Sequence, residues 1–326
     1  MVTPPVDGLA KTKAGVGGPG LAPALERAYL DGPGGRLAYV DVGPVDGAQP
    51  AVVFVHGWGA DAHDWDAAVA RFSPERRVLA ADLRGHGGSA PSPNGYRPQL
   101  LAADLAFLVR ARVVAGPVVL VGHSLGAVVA SVLAVEWSVP VAGLVVVDPA
   151  YGRPAGHRAR VEPWVARLRD GDAEFGAELV AGSVDARRHA RLREYLFRRA
   201  RDTPRETIWR ALADLHLSEG AISAEPAGGR YLEGRAGPVL ALNRDRRRAR
   251  WEAGVLASSR APGAGPASRS LVWEDTGHFP HLEEPQRFHA LLAQWLGLLA
   301  GAPARTFTFG ADVVEPAGAV APGRDA

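Results

Sequence analysis

The sequence predicts an α/β protein: a mostly parallel central sheet with helices on both faces and a helical segment inserted late in the chain. Three observations predict it. Short apolar runs recur near residues 36–42, 51–55, 78–81, 117–121, 143–147, 238–242 and 270–273, most of them separated by stretches that can form a helix. Continuous runs of this kind suit strands buried on both faces, as in a parallel sheet covered by helices. Residues 151–235 interrupt the alternation and read as several amphipathic helices rich in Arg and Ala, with no strand pattern. Finally, Gly122-His123-Ser124-Leu125-Gly126 stands between the β-branched run Pro117–Val121 and the apolar, Ala-rich stretch Ala127–Ala134.

The resulting organisation is a flexible N-terminal tail over 1–24, a core over 25–150, a helical lid over 151–235, the rest of the core over 236–301 and a C-terminal tail over 302–326. Within the last, Thr306–Phe309 alternates and could dock as a short strand. A chain of 326 residues, 47% of them hydrophobic, suffices for a large buried sheet. The net charge of +2 implies no nucleic-acid field, and the arginine cluster from Arg244 to Arg250 lacks interleaved aromatics for base stacking. With no cysteine, disulfides, thiol catalysis and Cys-ligated metals are excluded. The first twenty residues lack the apolar core of a signal peptide, and no run is long enough to span a membrane, so a cytoplasmic location is expected. The expected partner is a small-molecule substrate, with no nucleic acid and no membrane; oligomeric state stays open.

Strand, serine between two glycines, then helix is the pattern of a nucleophile elbow. The glycines permit a turn in which a Cβ would clash. The serine is held at a strand's carboxyl end, next to helix-start N–H groups that can stabilise an oxyanion. A second strand, Ala51–Val55, runs into His56-Gly57-Trp58-Gly59. A third, Val78–Ala81, precedes Asp82-Leu-Arg-Gly-His-Gly-Gly-Ser89. A fourth, Ser270–Trp273, precedes Thr276-Gly277-His278-Phe279-Pro-His-Leu-Glu-Glu-Pro285 and an apolar helix.

These four motifs, which follow one another in the chain as His56–Gly59, Asp82–Ser89, Gly122–Gly126 and Thr276–Pro285 within residues 36–298, resemble the α/β-hydrolase fold superfamily, in its serine-nucleophile, esterase- and haloperoxidase-like branch. The resemblance implies Ser124 as nucleophile, His278 as base, and the backbone N–H groups of Trp58 and Leu125 as the oxyanion hole. His56 braces its loop, and Asp82, Arg84 and Ser89 hold theirs together. His63, His157, His189, His216, His281 and His289 read as surface or capping residues. Residues expected to contact substrate are Trp58, His123, Tyr151, Trp164, Trp209 and Phe279. No metal or organic cofactor is expected, because no compact His/Asp/Glu cluster has ligand spacing.

The acid has two candidates. Most of the family places it after the strand that follows the lid, in a strand-x-Gly-x-x-Asp loop. Here Pro238–Leu242 is followed by Asn243-Arg-Asp245-Arg-Arg-Arg248: the glycine is missing, Arg247 holds the family's Asp position, and Asp245 comes two residues early. Asp148, at the end of Leu144–Val147, is favoured because its strand ends cleanly; Asp245 among arginines is the alternative. The expected activity is hydrolysis of a small to medium, partly apolar carboxylic ester or lactone through an acyl-enzyme. Alternatives with the same three residues are a C–C bond hydrolase, a cofactor-free perhydrolase, a lyase, an acyltransferase or a slow-turnover receptor.

Overall fold

β-branched and Ala-rich runs make most of the strands, which are β1 (Ala28–Gly32), β2 (Gly35–Val42), β3 (Ala51–Val55), β4 (Val78–Ala81), β5 (Val118–His123), β6 (Val141–Val147), β7 (Val239–Asn243) and β8 (Arg269–Val272). The computed structural model describes residues 24–45, 49–113, 116–154, 156–235, 237–258, 267–301 and 313–314. Apart from Ala24, Val313 and Val314, the expected tails and the Thr306–Phe309 stretch lie outside the described residues. The strands form one sheet in the order β1-β2-β4-β3-β5-β6-β7-β8. β1–β2 and β2–β4 pair antiparallel, and the remaining pairs are parallel. β1 adds a strand that the apolar runs do not announce. Its five residues form an edge hairpin with β2 and are mostly half-buried. Val313, in the stretch expected to be a tail, bridges antiparallel to Leu271 of β8.

Helices α1 (Asp66–Phe72), α2 (Pro98–Arg112) and α3 (Leu125–Glu136) follow the first strands. The stretch between β6 and β7 carries α4 (His157–Arg169), α5 (Ala173–Ala181), α6 (Ala190–Asp202), α7 (Arg205–His216) and α8 (Ala227–Leu232). Then come α9 (Arg246–Ser258), α10 (Pro280–Glu283) and α11 (Pro285–Leu299). One core packs α2 and α3 on a face of the sheet; the other packs α1 and α11 on the opposite face. Among the described residues no helix is long and apolar enough to cross a membrane.

Three features of this arrangement position the site. β3 pairs with β4 on one side and β5 on the other, so the loops leaving β3 and β5 diverge at the carboxyl edge. Such a switch point leaves a crevice where ligands bind in open α/β sheets. The inserted helices pack as two pairs, α4 with α7 and α5 with α6, and Trp58 packs against both pairs from the core. At the insertion's far end, Arg235 pairs with Glu252 of α9 at 2.6 Å and donates to the Tyr151 hydroxyl at 3.0 Å, with both charged side chains at most 2% exposed. Removing one partner of a buried ion pair leaves the other charge desolvated and unpaired, which costs about 3–5 kcal/mol. Glu252→Ala should therefore lower the unfolding free energy by about that amount in chemical denaturation. A loss below about 1 kcal/mol would show that water reaches Arg235.

Candidate active site

Ser124 caps α3 at the end of β5 with φ 50° and ψ −112°, a left-handed region that side-chain-bearing residues rarely enter. The flanking glycines make this turn possible. A Cβ on Gly122 would run into the backbone of Gly126, and one on Gly126 into the carbonyls of Val55 and His56. The Ser124 N–H donates to the Val147 carbonyl at 3.0 Å, and its carbonyl accepts from Ala150 N–H at 3.2 Å. The β6 end is thereby tied to the elbow.

His278 lies in the loop between β8 and α10. Its Nε2 is 3.0 Å from Ser124 Oγ, and its Nδ1 is 2.5 Å from Asp148 Oδ2. With Nδ1–H donating to the carboxylate, Nε2 is left to accept from the serine hydroxyl. Four contacts fix the loop. Glu283 accepts from Gly277 N–H at 2.8 Å and from Phe279 N–H at 3.0 Å. His278 N–H donates to the Ser183 carbonyl at 3.1 Å, and its carbonyl accepts from His123 Nε2–H at 2.8 Å. Burial lowers the His278 pKa against the opposing pull of Asp148, so the imidazole is the neutral, proton-accepting form at neutral pH.

Asp148 is the carboxylate the structure brings to His278. It has no exposed surface, sits at φ 36°, and follows directly on β6. Burial alone would raise its pKa. The Arg248 guanidinium at 2.8 Å, the His278 hydrogen bond and Arg244, with its Nε at 3.3 Å, reverse that and hold it far below the usual carboxylate range. Asp245, the alternative, does not reach His278. Its Oδ1 accepts from Arg248 N–H at 2.8 Å and its carbonyl from Ala249 N–H at 3.0 Å, so it caps the start of α9. The arginine-rich segment after β7 thus supplies cations to the acid from β6.

The loop after β3 approaches from the other side of the elbow. A Cβ on Gly57 would lie 2.7 Å from His123 Nδ1 and 3.3 Å from Ser124 Cβ. Trp58 follows Gly57, and Leu125 opens α3, where the first amides have no partner within the helix. His56 joins this loop to the next: its Nε2 accepts from Leu83 N–H at 2.9 Å, and its Nδ1–H donates to the Gly57 carbonyl at 2.7 Å. The Asp82 turn is bound just as tightly. Its carboxylate accepts from the N–H groups of Ala62 and Gly88, each at 2.7 Å, and Arg84 grips Asp104 through two bonds of 2.8 and 2.9 Å.

A cavity of about 260 Å³ opens above Ser124. Of the residues expected to contact substrate, Trp58, His123, Trp164 and Phe279 line it. The Trp58 indole N–H donates to the Ile208 carbonyl of α7 at 2.8 Å, which fixes the ring as a wall between core and insertion. Tyr151 and Trp209 do not line the cavity. Tyr151 is 1% exposed and held behind it by Arg235. Trp209 is held on another face of α7, where its indole N–H donates to Glu206 at 3.1 Å. Conversely, Arg153, His157, Arg160, His216 and Arg244 do line the cavity, although the two histidines read as surface or capping residues in the sequence; His63, His216 and His281 are in fact buried. For the histidines helical spacing carries no signal; only the packing of α4 against α7 brings them to the cavity.

A sequence model described as the alpha/beta hydrolase family matches residues 52–291. Over 272 residues, 82% of this chain and 68% of the relative, the chain is 28% identical to a dihydrolipoyllysine-residue acetyltransferase component of the acetoin cleaving system of Cupriavidus necator. It is 37% identical to an esterase of Mycobacterium tuberculosis over 164 residues, which are 48% of this chain and 54% of that protein. Among solved structures, a thermophilic esterase from Thermogutta terrifontis superposes with a TM-score of 0.69 at 25% identity, covering 84% of this chain and 98% of that one.

The different placement of the two tryptophans yields a test. Trp164→Ala opens the cavity, so its preference among p-nitrophenyl esters should move toward longer acyl chains by roughly tenfold, as expected when a hydrophobic pocket gains space for a methylene or two. Trp209→Ala should leave the chain-length profile in place. Equal shifts in both variants would show that the α7 face is misassigned.

Proposed function

Since the chain belongs to the alpha/beta hydrolase family, we propose that it is a serine hydrolase that cleaves a small to medium, partly apolar carboxylic ester or lactone through an acyl-enzyme. The observation that carries this reading is the hydrogen-bonded series Asp148–His278–Ser124, with spacings of 2.5 and 3.0 Å, at the base of a cavity whose lining is partly apolar. A serine hydroxyl is a weak nucleophile without an oriented base, and this series supplies both base and orientation.

In the proposed cycle, Ser124 Oγ attacks the substrate carbonyl carbon while His278 Nε2 takes the hydroxyl proton. The charge that develops on the carbonyl oxygen is met by the N–H groups of Trp58 and Leu125, each worth roughly 3 kcal/mol in such a role. His278 then gives its proton to the leaving alkoxide. It next takes a proton from water, whose oxygen attacks the acyl carbon, and returns that proton to Ser124 Oγ as the acyl–Oγ bond breaks and the acid leaves. Asp148 keeps the Nδ1–H tautomer and offsets the imidazolium charge without being protonated itself. The helices of residues 151–235 act as the lid that bounds the acyl pocket. Transfer of the acyl group to an acceptor other than water is a second reading, favoured by the acetyltransferase relative; free acid lagging behind p-nitrophenol release when an alcohol is added would point to it.

The reading predicts that a fluorophosphonate labels Ser124 alone, as located by peptide mass spectrometry. Asp148→Asn should lose about 10⁴ in kcat, because Asn offers the wrong partner to Nδ1. Asp245→Asn should change kcat less than about threefold, since Asn also caps helices. A label on another serine, or a crippled Asp245→Asn beside a normal Asp148→Asn, contradicts the assignment.

A further inference from the structure

One wall of the cavity above Ser124 carries nitrogen donors that nothing in the proposed cycle uses. Arg244 is committed to Asp148. Arg153 is different: its Nε is buried without a hydrogen-bond partner, and among the described residues no carboxylate is ion-paired with it. Its backbone is fixed, with N–H donating to the Ser223 carbonyl at 3.0 Å and carbonyl accepting from Glu225 N–H at 2.9 Å, so the side chain starts from a rigid strap. Beside it, His157 Nε2 and His216 Nδ1 are also buried and unpartnered, and the two rings meet edge to face at 4.8 Å. Arg160 joins them in the cavity lining.

Arg153, His157 and His216 all line the cavity, and each holds a buried nitrogen for which the protein supplies no partner, so together they form a site for an acceptor. Its charge follows from the groups around it. Burial, with Arg248 adding repulsion, lowers the Arg153 pKa to about 10, which leaves it a cation at neutral pH. Burial lowers His157 to about 4, with Arg153 and Arg160 adding to the shift. Burial likewise lowers His216 to about 3, with His157 and Arg153 contributing. Both imidazoles are therefore neutral and can each present one N–H. The carboxylates nearest Arg153, Asp148 and Asp245, are occupied by His278 and Arg248 and by the α9 cap.

We infer that this wall binds a carboxylate carried by the substrate, so that the ester or lactone opened at Ser124 bears a second, unreacted acid group held by Arg153, His157 and His216. The inference rests on the reading of Ser124 as the nucleophile. Arg160 is exposed to solvent, which screens its charge, so the half-buried Arg153 guanidinium is the cation that matches a single negative charge, and its planar fork suits the two oxygens of a carboxylate. Two neutral imidazole donors add hydrogen bonds without adding charge, which favours a monoanion over a phosphate dianion. The carboxylate is a spectator: no bond to it forms or breaks while water adds across the ester.

The test compares mono-p-nitrophenyl glutarate with uncharged p-nitrophenyl pentanoate, using the full chain at neutral pH. A charge-assisted contact of this kind should favour the acid by about tenfold or more in kcat/KM. Arg153→Gln should bring the ratio of the two to about one, and Arg153→Lys, which keeps the charge but loses the fork, should retain part of the preference. A binding arm separates this inference from the nucleophile reading. By calorimetry, Ser124→Ala and the unaltered protein should both bind pentanoate and not pentanamide, with inorganic phosphate weaker than pentanoate. Hydrolysis of the pentanoyl ester with no preference for the acid, and no discrimination against pentanamide, would overturn the carboxylate site while leaving Ser124 as nucleophile. No hydrolysis of either ester, with pentanoate still bound through Arg153, would uphold the site and overturn the nucleophile. Phosphate binding more tightly than pentanoate would overturn the carboxylate assignment.

Discussion

A carboxylate with no exposed surface must either be neutral or have every oxygen answered by a donor. Asp148 is of the second kind, and the rest of the site is arranged around it. β6 delivers it at a left-handed residue directly after the strand, and its own N–H is returned to the sheet through the Leu242 carbonyl at 2.7 Å. Arg248 and Arg244, from the segment after β7, face one oxygen each, and His278 takes the proton-donor position on Oδ2. Three successive parallel strands, β6, β7 and β8, therefore lead into the group that orients the imidazole, and register between them sets its position.

The same constraint makes the helical insertion part of the site as well as its cover. The Ser183 carbonyl holds the His278 N–H, and the Ile208 carbonyl holds the Trp58 indole. Both acceptors lie in residues 151–235. A shift of the insertion would be felt at the imidazole and at the loop after β3 together. His123 completes the frame from below: 1% exposed and kept neutral by burial and by its imidazole neighbours His281 and His278, it donates to the His278 carbonyl, so it lines the cavity yet mainly positions the neighbouring ring.

Local patterns were the legible part of the sequence. Strand runs, the glycine-flanked serine and the His278 loop are written within a few neighbouring residues, and the structure brings Ser124, His278 and Asp148 within hydrogen-bonding reach. Asp148 stood out because the usual acid loop after β7 is altered; what replaced it was not legible, since Arg248 meets Asp148 across 100 residues of sequence. Tyr151 and Trp209 read as pocket residues because aromatic side chains sit near the expected opening. Their direction is set by Arg235 and Glu206, partners that no periodicity reveals. His157 and His216, at the ends of α4 and α7, depart from their reading in the opposite sense. A polar residue on an amphipathic helix reads as solvent-facing until the packing of α4 against α7 turns that face onto a cavity. β1 escaped because an edge strand of five mostly half-buried residues has too little apolar character to announce itself.

The central claim is that Asp148, and no residue after β7, holds the His278 imidazole. The most direct measurement is the far-downfield proton NMR resonance of a histidine Nδ1–H bonded to a carboxylate, which reports that hydrogen bond without requiring turnover. Because His63 Nδ1 also meets the Asp66 carboxylate at 3.0 Å, the resonance that counts is the one His278→Gln removes; it is predicted to persist in Asp245→Asn and to be lost in Asp148→Asn. A resonance that survives Asp148→Asn and disappears in Asp245→Asn would contradict it.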